Sequence, residues 1–474
     1  MRHKRSERKK ILSCILILTA IVFCCLTAYA SAEDAPPDGT PAVEEVPQES
    51  MAQGEVVIEQ RTGKILKGRQ EHMRLYPAST TKILTAWIAS EYGHLDEMVT
   101  VGDEINLVAW DGTKAGLVEN EKLTMRDLIL GMLINSGNDA ANTIAVHIAR
   151  SVSGKPLEAQ EALNYFSNLM NQKAREAGAR DSHFINPHGY HDPNHYTTAY
   201  DLAMIGRAAM KNDFFRKAIS VTSMDTTNGA TGEPRFWRSR NKLLNKKSSQ
   251  FYEYATGGKT GYTSKSGQCL VSFAAKDGMD LIAVMLNAAA GQRWSEAREL
   301  FEYGFANYQY QQILKNGTVI KSFPVENHAS GDEGSLAVEI SSGDWGDAFL
   351  KQDIPEIRKE IQWDESQFVK PKGDGNTSPR LKAPIQKGQA IGQLTVSLRG
   401  KVLTRVPLTA VRDVKKRTAL DALTPDTSKK SFPWTIAVAS VALAVVLLKI
   451  IVHWINHRRR RRNYYLYHKL YHKF

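Results

Sequence analysis

The chain has 474 residues, 42% of them hydrophobic and 24% charged, an ordinary globular balance with room for two or three domains. Its net charge of +12 sits at the ends: residues 1–10 hold six Lys/Arg against one Glu, and residues 457–474 hold seven with no acid. Basic ends on a neutral body suit membrane topology and exclude a nucleic-acid partner, which requires a basic face on a folded domain.

In chain order, Arg2 to Lys10 is a basic start and Ile11 to Ala28 an apolar run. Small residues follow at Ala28-Tyr29-Ala30 and Ala30-Ser31-Ala32, so residues 1–32 are expected to be a signal peptide, an uncleaved anchor being the alternative. Residues 33–50, rich in Pro, Glu and Asp, read as a flexible stalk. Two strands are predicted over Glu55–Glu59 and Ile65–Lys67 around the turn Arg61-Thr62-Gly63-Lys64. A helix is predicted over Thr80–Ser90 from the spacing of Ile83, Leu84, Trp87 and Ile88. Thr124 opens a second helix, Met125–Ile134, with a capping-box pattern. Ser136-Gly137-Asn138 breaks it, and a third helix is expected over about Ala140–Arg150. Cys269–Ala275 and Leu281–Asn287 flank Lys276-Asp277-Gly278 as a hairpin. Helices around hairpin-linked strands imply an α+β fold with an antiparallel sheet over residues 51–316.

Beyond Asn316 the helical period fades and short β-rich runs take over, including Ala390–Leu398 and Val402–Val406, which predicts a small all-β domain over 317–413. A polar linker, 414–433, leads to an apolar run that is long enough to span a bilayer, and a transmembrane helix is assigned to 434–456. Lys449 and His453 lie near its far end, where long side chains can snorkel. Arg458 to Arg462 follow, so the tail 457–474 is expected in the cytoplasm and the body outside. Three of the four cysteines (Cys14, Cys24, Cys25) fall in the signal segment, leaving Cys269 as a core residue of a body without an internal disulfide.

Three short motifs carry chemistry. In Ser79-Thr80-Thr81-Lys82, residues three apart on a helix share a face, which sets the Lys82 amine beside the Ser79 hydroxyl. A serine needs a base, and a desolvated lysine can be neutral enough to serve. The helix N-terminus adds free N–H groups for an oxyanion. Alone, this pattern is also that of a capped helix with an unrelated lysine, and Ser6…Lys9 and Ser239…Lys242 repeat it. Next, Ser136-Gly137-Asn138 offers a hydroxyl that can pass a proton and an amide that can hold a substrate amide. Finally, Lys259-Thr260-Gly261, before Tyr262, offers a cation and a hydroxyl for a carboxylate, with a glycine that admits the substrate backbone.

Taken together and in this order, the three motifs resemble those of the low-molecular-mass penicillin-binding proteins, the serine-type D-alanyl-D-alanine carboxypeptidases. The likeness extends through Arg61 to Leu66, Asn186-Pro187-His188-Gly189, His195 to Leu202, and Ala383-Pro384-Ile385 to Pro407-Leu408. It implies a β-lactamase/transpeptidase-like catalytic domain, Ser79 as the acylated nucleophile, Lys82 as base and Ser136 as proton relay. The resemblance further gives Asn138 the substrate amide, Lys259 a positive charge, and Thr260 the terminal carboxylate with help from Arg240. The backbone N–H groups of Ser79 and Tyr262 would form the oxyanion hole; the family often has His where this chain has Tyr262. The implied partners are a peptidoglycan pentapeptide and covalently bound β-lactams. No cofactor is expected, and no metal site is read from the His183, His188, His191, His195 cluster, whose spacing fits no zinc motif. A β-lactamase and a catalytically inactive wall-binding scaffold are the alternatives.

Overall fold

The computed structural model describes residues 51–369, 378–419 and 434–470; the expected signal segment and stalk lie outside it, as do most of the linker and the last four residues. Two compact units are present, one running to residue 313 with 346–355 added, the other made of 314–345 and the chain from 356 onward.

The first unit opens with β1 (Gly54–Glu59) and β2 (Ile65–Arg69). A single 3-10 turn, Ala78–Thr81, leads into α1 (Lys82–Tyr92). The short pair β3 (Met98–Thr100) and β4 (Lys122–Thr124) precedes α2 (Met125–Ile134), where the Thr124 hydroxyl accepts from the Asp127 N–H at 3.1 Å as the capping pattern requires. Helix α3 runs over Asn138–Ser153, starting two residues before the expected Ala140, so Asn138 begins a helix rather than ending a turn. Helices α4 (Ala159–Glu176), α5 (Ala199–Ala209) and α6 (Asp213–Ala218) follow, then the hairpin β5 (Ser223–Thr227) and β6 (Pro234–Arg238). Strands β7 (Ala255–Thr263), β8 (Gly267–Lys276) and β9 (Met279–Ala288) lead to α7 (Gln292–Asn307) and β10 (Tyr308–Leu314).

β1, β2, β7, β8 and β9 form one antiparallel sheet in the order β2-β1-β9-β8-β7. Both faces are covered. Val56, Ile58, Val271, Phe273, Ile282 and Val284 pack with α1 to α6, while Val57, Leu66, Leu270, Leu281, Ala283 and Met285 pack with Trp294, Ala297, Leu300 and Phe301 of α7. That double cover explains why Leu281–Leu286 reads as a continuous apolar run and not as an alternation. β7 lies at the sheet edge, and the α1 end of the helical layer meets it there.

In the second unit β11 (Val319–Glu326) and β12 (Ser335–Ile340) pair; β13 (Trp345–Leu350), which pairs with β10, lies almost wholly in the 346–355 segment of the first unit; and β14 (Ile357–Trp363), β15 (Leu381–Lys382), β16 (Ala390–Leu398) and β17 (Lys401–Ala410) follow in the second. Six strands form a sheet ordered β14-β16-β17-β12-β11-β15, its buried face built from Phe323, Leu336, Val338, Leu394, Val396 and Leu408. Helix α8 (Trp434–Leu470) carries the stretch Ser440–Arg459, long and apolar enough to cross a bilayer, with a mean hydropathy of 1.7 and no burial against protein.

Candidate active site

Three pieces of chain converge: the turn at Ser79, the junction of α2 and α3, and edge strand β7. The turn is set by local bonds and by a loop packed upon it. Thr80 Oγ1 donates to Pro77 O at 2.7 Å, and Thr85 Oγ1 donates to Pro187 O at 2.6 Å. Thr81 Oγ1 and His195 Nε2 share a buried hydrogen bond of 2.9 Å. Ala78, just before the serine, has φ +49°, a left-handed conformation that a non-glycine residue holds only where its surroundings enforce it. Gly189 is part of that enforcement. Its φ is +81°, and a Cβ there would fall 1.8 Å from Ala78 O, so only glycine lets the loop close on the turn.

Ser79 is half-buried, and Lys82 is fully buried beneath it. Lys82 Nζ lies 3.0 Å from Ser79 Oγ, 2.7 Å from Asn138 Oδ1 and 2.8 Å from His188 O. Burial, and after it the positive charge of Lys259, holds this amine well below the ordinary lysine range, with Asp139 opposing. A neutral amine has two N–H groups and one lone pair. The Asn138 and His188 oxygens can only accept, so they take the two N–H groups and leave the lone pair on Ser79 Oγ–H. The arrangement can therefore draw a proton from the serine.

At the second piece, Ser136 also has a left-handed backbone, φ +61°. Its neighbour across the cleft is Lys259, whose Nζ donates to Ser136 Oγ at 2.9 Å and to Thr260 O at 3.0 Å. Lys259 is 3% exposed, and burial followed by the charges of Arg293 and Arg240 lowers its pKa to about 7. Asp139 anchors the junction: its carboxylate accepts from the N–H groups of Ala115, Gly116 and Leu117 at 2.7, 2.9 and 3.0 Å. The Trp237 indole donates to Ala115 O at 2.9 Å, tying the β5–β6 hairpin to the same loop. His195, buried and brought down to about 3 chiefly by burial, is neutral.

β7 approaches the serine turn closely at Gly261. A Cβ there would lie 2.9 Å from Pro77 O, 3.0 Å from Ala78 Cβ and 3.1 Å from Ser79 N. Thr260 beside it is half-buried, and Tyr262 is 63% exposed. Arg240 is exposed, with the adjoining Asn241 buried against β7: a Cβ on Gly258 would fall 2.8 Å from Asn241 Nδ2. Ser79, Lys82 and Asn138 thus form one hydrogen-bonded group and Ser136 and Lys259 a second, with Thr260, Gly261 and Tyr262 following Lys259 along β7. Asp139, the His188 carbonyl and Arg293 join the site without being among the residues expected from the sequence. Asp139 adjoins the Ser136–Asn138 triplet and could have been found there; Arg293 has no spacing signal at all.

A serine hydroxyl with a buried lysine one helical turn away, facing a second buried lysine on an edge strand, is an arrangement of the serine hydrolase class, in which an amine can take the hydroxyl proton. Comparison with known proteins agrees. The D-alanyl-D-alanine carboxypeptidase family model matches residues 41–290, and the model of the penicillin-binding protein 5 C-terminal domain matches 364–416. The D-alanyl-D-alanine carboxypeptidase DacF of Bacillus subtilis is 28% identical over 85% of this chain and 95% of its own length, and DacD of Salmonella typhimurium is 30% identical over 76% and 86%. Among solved structures, penicillin-binding protein 5 from Haemophilus influenzae superposes with a TM-score of 0.60 at 28% identity, covering 78% of this chain and 99% of its own. Penicillin-binding protein 6B from Escherichia coli gives 0.57 at 27% identity, covering 79% and 99%. The chain belongs to the D-alanyl-D-alanine carboxypeptidase family.

Proposed function

We propose that this protein removes the terminal D-alanine from peptidoglycan stem peptides through an acyl-serine intermediate and is inhibited by β-lactams that acylate the same serine. The observation carrying the proposal is the buried Lys82 amine, 3.0 Å from Ser79 Oγ and bonded to two carbonyl acceptors, which in the neutral amine leave the lone pair for the serine. Ser79 Oγ attacks the carbonyl carbon of the penultimate D-alanine while Lys82 takes the hydroxyl proton. The negative charge on the carbonyl oxygen is received by the Ser79 and Tyr262 N–H groups. The proton reaches the leaving amine through Ser136, the C–N bond breaks, and water hydrolyses the acyl ester with Lys82 again as base. Asn138 supports the substrate amide, and Lys259, Thr260 and Arg240 receive the terminal carboxylate. Asp139 is committed to backbone N–H groups, which favours a carboxypeptidase over a β-lactamase that needs a free carboxylate to drive deacylation.

Helix α8 would anchor the chain, with the body outside the membrane and the arginine-rich end in the cytoplasm. The test is release of D-alanine from a D-Ala–D-Ala-ended peptide by the full-length chain in detergent. Turnover lost in Ser79→Ala and in Lys82→Met is the expected result. Release that survives Ser79→Ala would sink the proposal.

A further inference from the structure

The peptide group joining Gly261 to Tyr262 is gripped from the side away from the serine. Arg293, the second residue of α7, sends Nη1 to Gly261 O at 2.9 Å and to Cys269 O at 3.2 Å. Gly261 and Cys269 are register partners across β7 and β8, so this guanidinium sits where the two strands meet. Its own position is fixed by the Trp294 ring, 4.6 Å away. In a planar trans peptide, the carbonyl and the following N–H point in opposite directions. Holding Gly261 O toward β8 therefore turns the Tyr262 N–H outward, to the free edge of the sheet against which the Ser79 turn packs. A charge-assisted bond to the carbonyl also draws electron density through the amide toward oxygen, which makes the N–H a stronger donor.

We infer that Arg293 is a positioning residue of the reaction, fixing and polarising the Gly261–Tyr262 peptide so that its N–H receives the oxyanion. The inference rests on the acyl-serine reading above. Its contacts with the site strands are to the backbone carbonyls of Gly261 and Cys269. The same guanidinium is one of the two charges that lower the Lys259 pKa, so its removal has a second signature at a different group.

The experiment compares full-length wild type, Arg293→Ala, Arg293→Gln and Arg293→Lys in detergent. It measures the penicillin acylation rate, the affinity of a peptide boronic acid that forms a tetrahedral adduct on Ser79, and the pH profile of acylation. Arg293→Ala is expected to lose roughly 10- to 100-fold in acylation and a matching factor in boronate affinity, less than deleting an oxyanion donor outright. Arg293→Gln, which keeps one N–H donor without charge, falls between, and KM for a D-Ala–D-Ala peptide stays within about twofold. The alkaline limb moves to higher pH in Arg293→Ala and Arg293→Gln but not in Arg293→Lys, which keeps the cation. Wild-type acylation and boronate affinity in Arg293→Ala would overturn the inference. So would a loss of acylation with unchanged boronate affinity and an unmoved pH limb, which marks a purely structural role. Should Arg293→Ala fail to fold, Arg293→Gln and Arg293→Lys decide on the same criteria. Failure of the wild type to label at Ser79 is a separate result, which sinks the acyl-serine reading itself.

Discussion

Raising the pH above neutrality should switch acylation off through Lys259. This lysine is 3% exposed and its pKa is lowered to about 7, first by burial and then by Arg293 and Arg240. A depressed lysine is charged below its folded-state pKa and neutral above it, and the charged form is the one that can seat a carboxylate. The charged fraction falls tenfold per pH unit beyond that point, so about 1% remains two units higher, and the acylation rate should fall roughly 100-fold from its plateau. Penicillin keeps its carboxylate ionised throughout, and Lys82 is already below the ordinary lysine range, so neither adds an alkaline limb of this kind.

In Lys259→Arg the guanidinium stays charged at every pH used. Its plateau rate is lower, because a planar group does not reproduce both the 2.9 Å bond to Ser136 Oγ and the 3.0 Å bond to Thr260 O, but the limb near neutrality disappears. The assay is the second-order rate of labelling by a fluorescent penicillin at constant ionic strength, followed from about pH 6 to about pH 9.5. With a peptide substrate, the limb in kcat should lie above that in kcat/KM, since a bound carboxylate stabilises the ammonium. A wild-type profile that stays flat above neutrality, or a limb that persists in Lys259→Arg, refutes the reasoning.

Asp139→Asn leaves one carbonyl oxygen where two carboxylate oxygens took three loop N–H groups; a loss of about 3 kcal/mol is expected by thermal or denaturant unfolding. Because Asp139 is the charge that raises Lys82, the acid limb of acylation should move to lower pH in the same variant. Gly261→Ala places a methyl group 3.0 Å from Ala78 Cβ and 3.1 Å from Ser79 N, so β7 must draw back from the serine, and labelling should slow by about tenfold or more while the protein stays folded. Arg235→Met leaves Glu121, whose side chain is fully buried, without its bidentate partner at 2.9 Å, and should cost about 3–5 kcal/mol in unfolding free energy.

Much of this was readable beforehand, for physical reasons that differ by element. Thr124 announces α2 because its hydroxyl satisfies a first-turn N–H, a local interaction that sequence spacing records. The β8–β9 hairpin is legible because Asp277 and Gly278, both at positive φ, mark the turn between two apolar runs. The Ser79–Lys82 pair is legible because three residues make one turn. The 3-10 geometry at Ala78–Thr81 was not, since the left-handed Ala78 packs against Gly189, in a loop more than a hundred residues away. Nor was Arg293: it acts on Gly261 O from the start of a helix on the far face of the sheet, a contact that only tertiary packing creates. The early start of α3 follows from Asp139 and the Asn138 N–H bonding the 113–117 loop, again a long-range effect.

The central claim is that the Ser79 oxygen becomes covalently acylated because the amine of Lys82 removes its proton. Mass spectrometry of the full-length protein after brief exposure to benzylpenicillin, with digestion to locate the adduct, tests it most directly. A single penicilloyl group on the peptide containing Ser79 is expected, absent in Lys82→Met although that variant remains folded. An adduct on any other residue, or undiminished acylation in Lys82→Met, would contradict it.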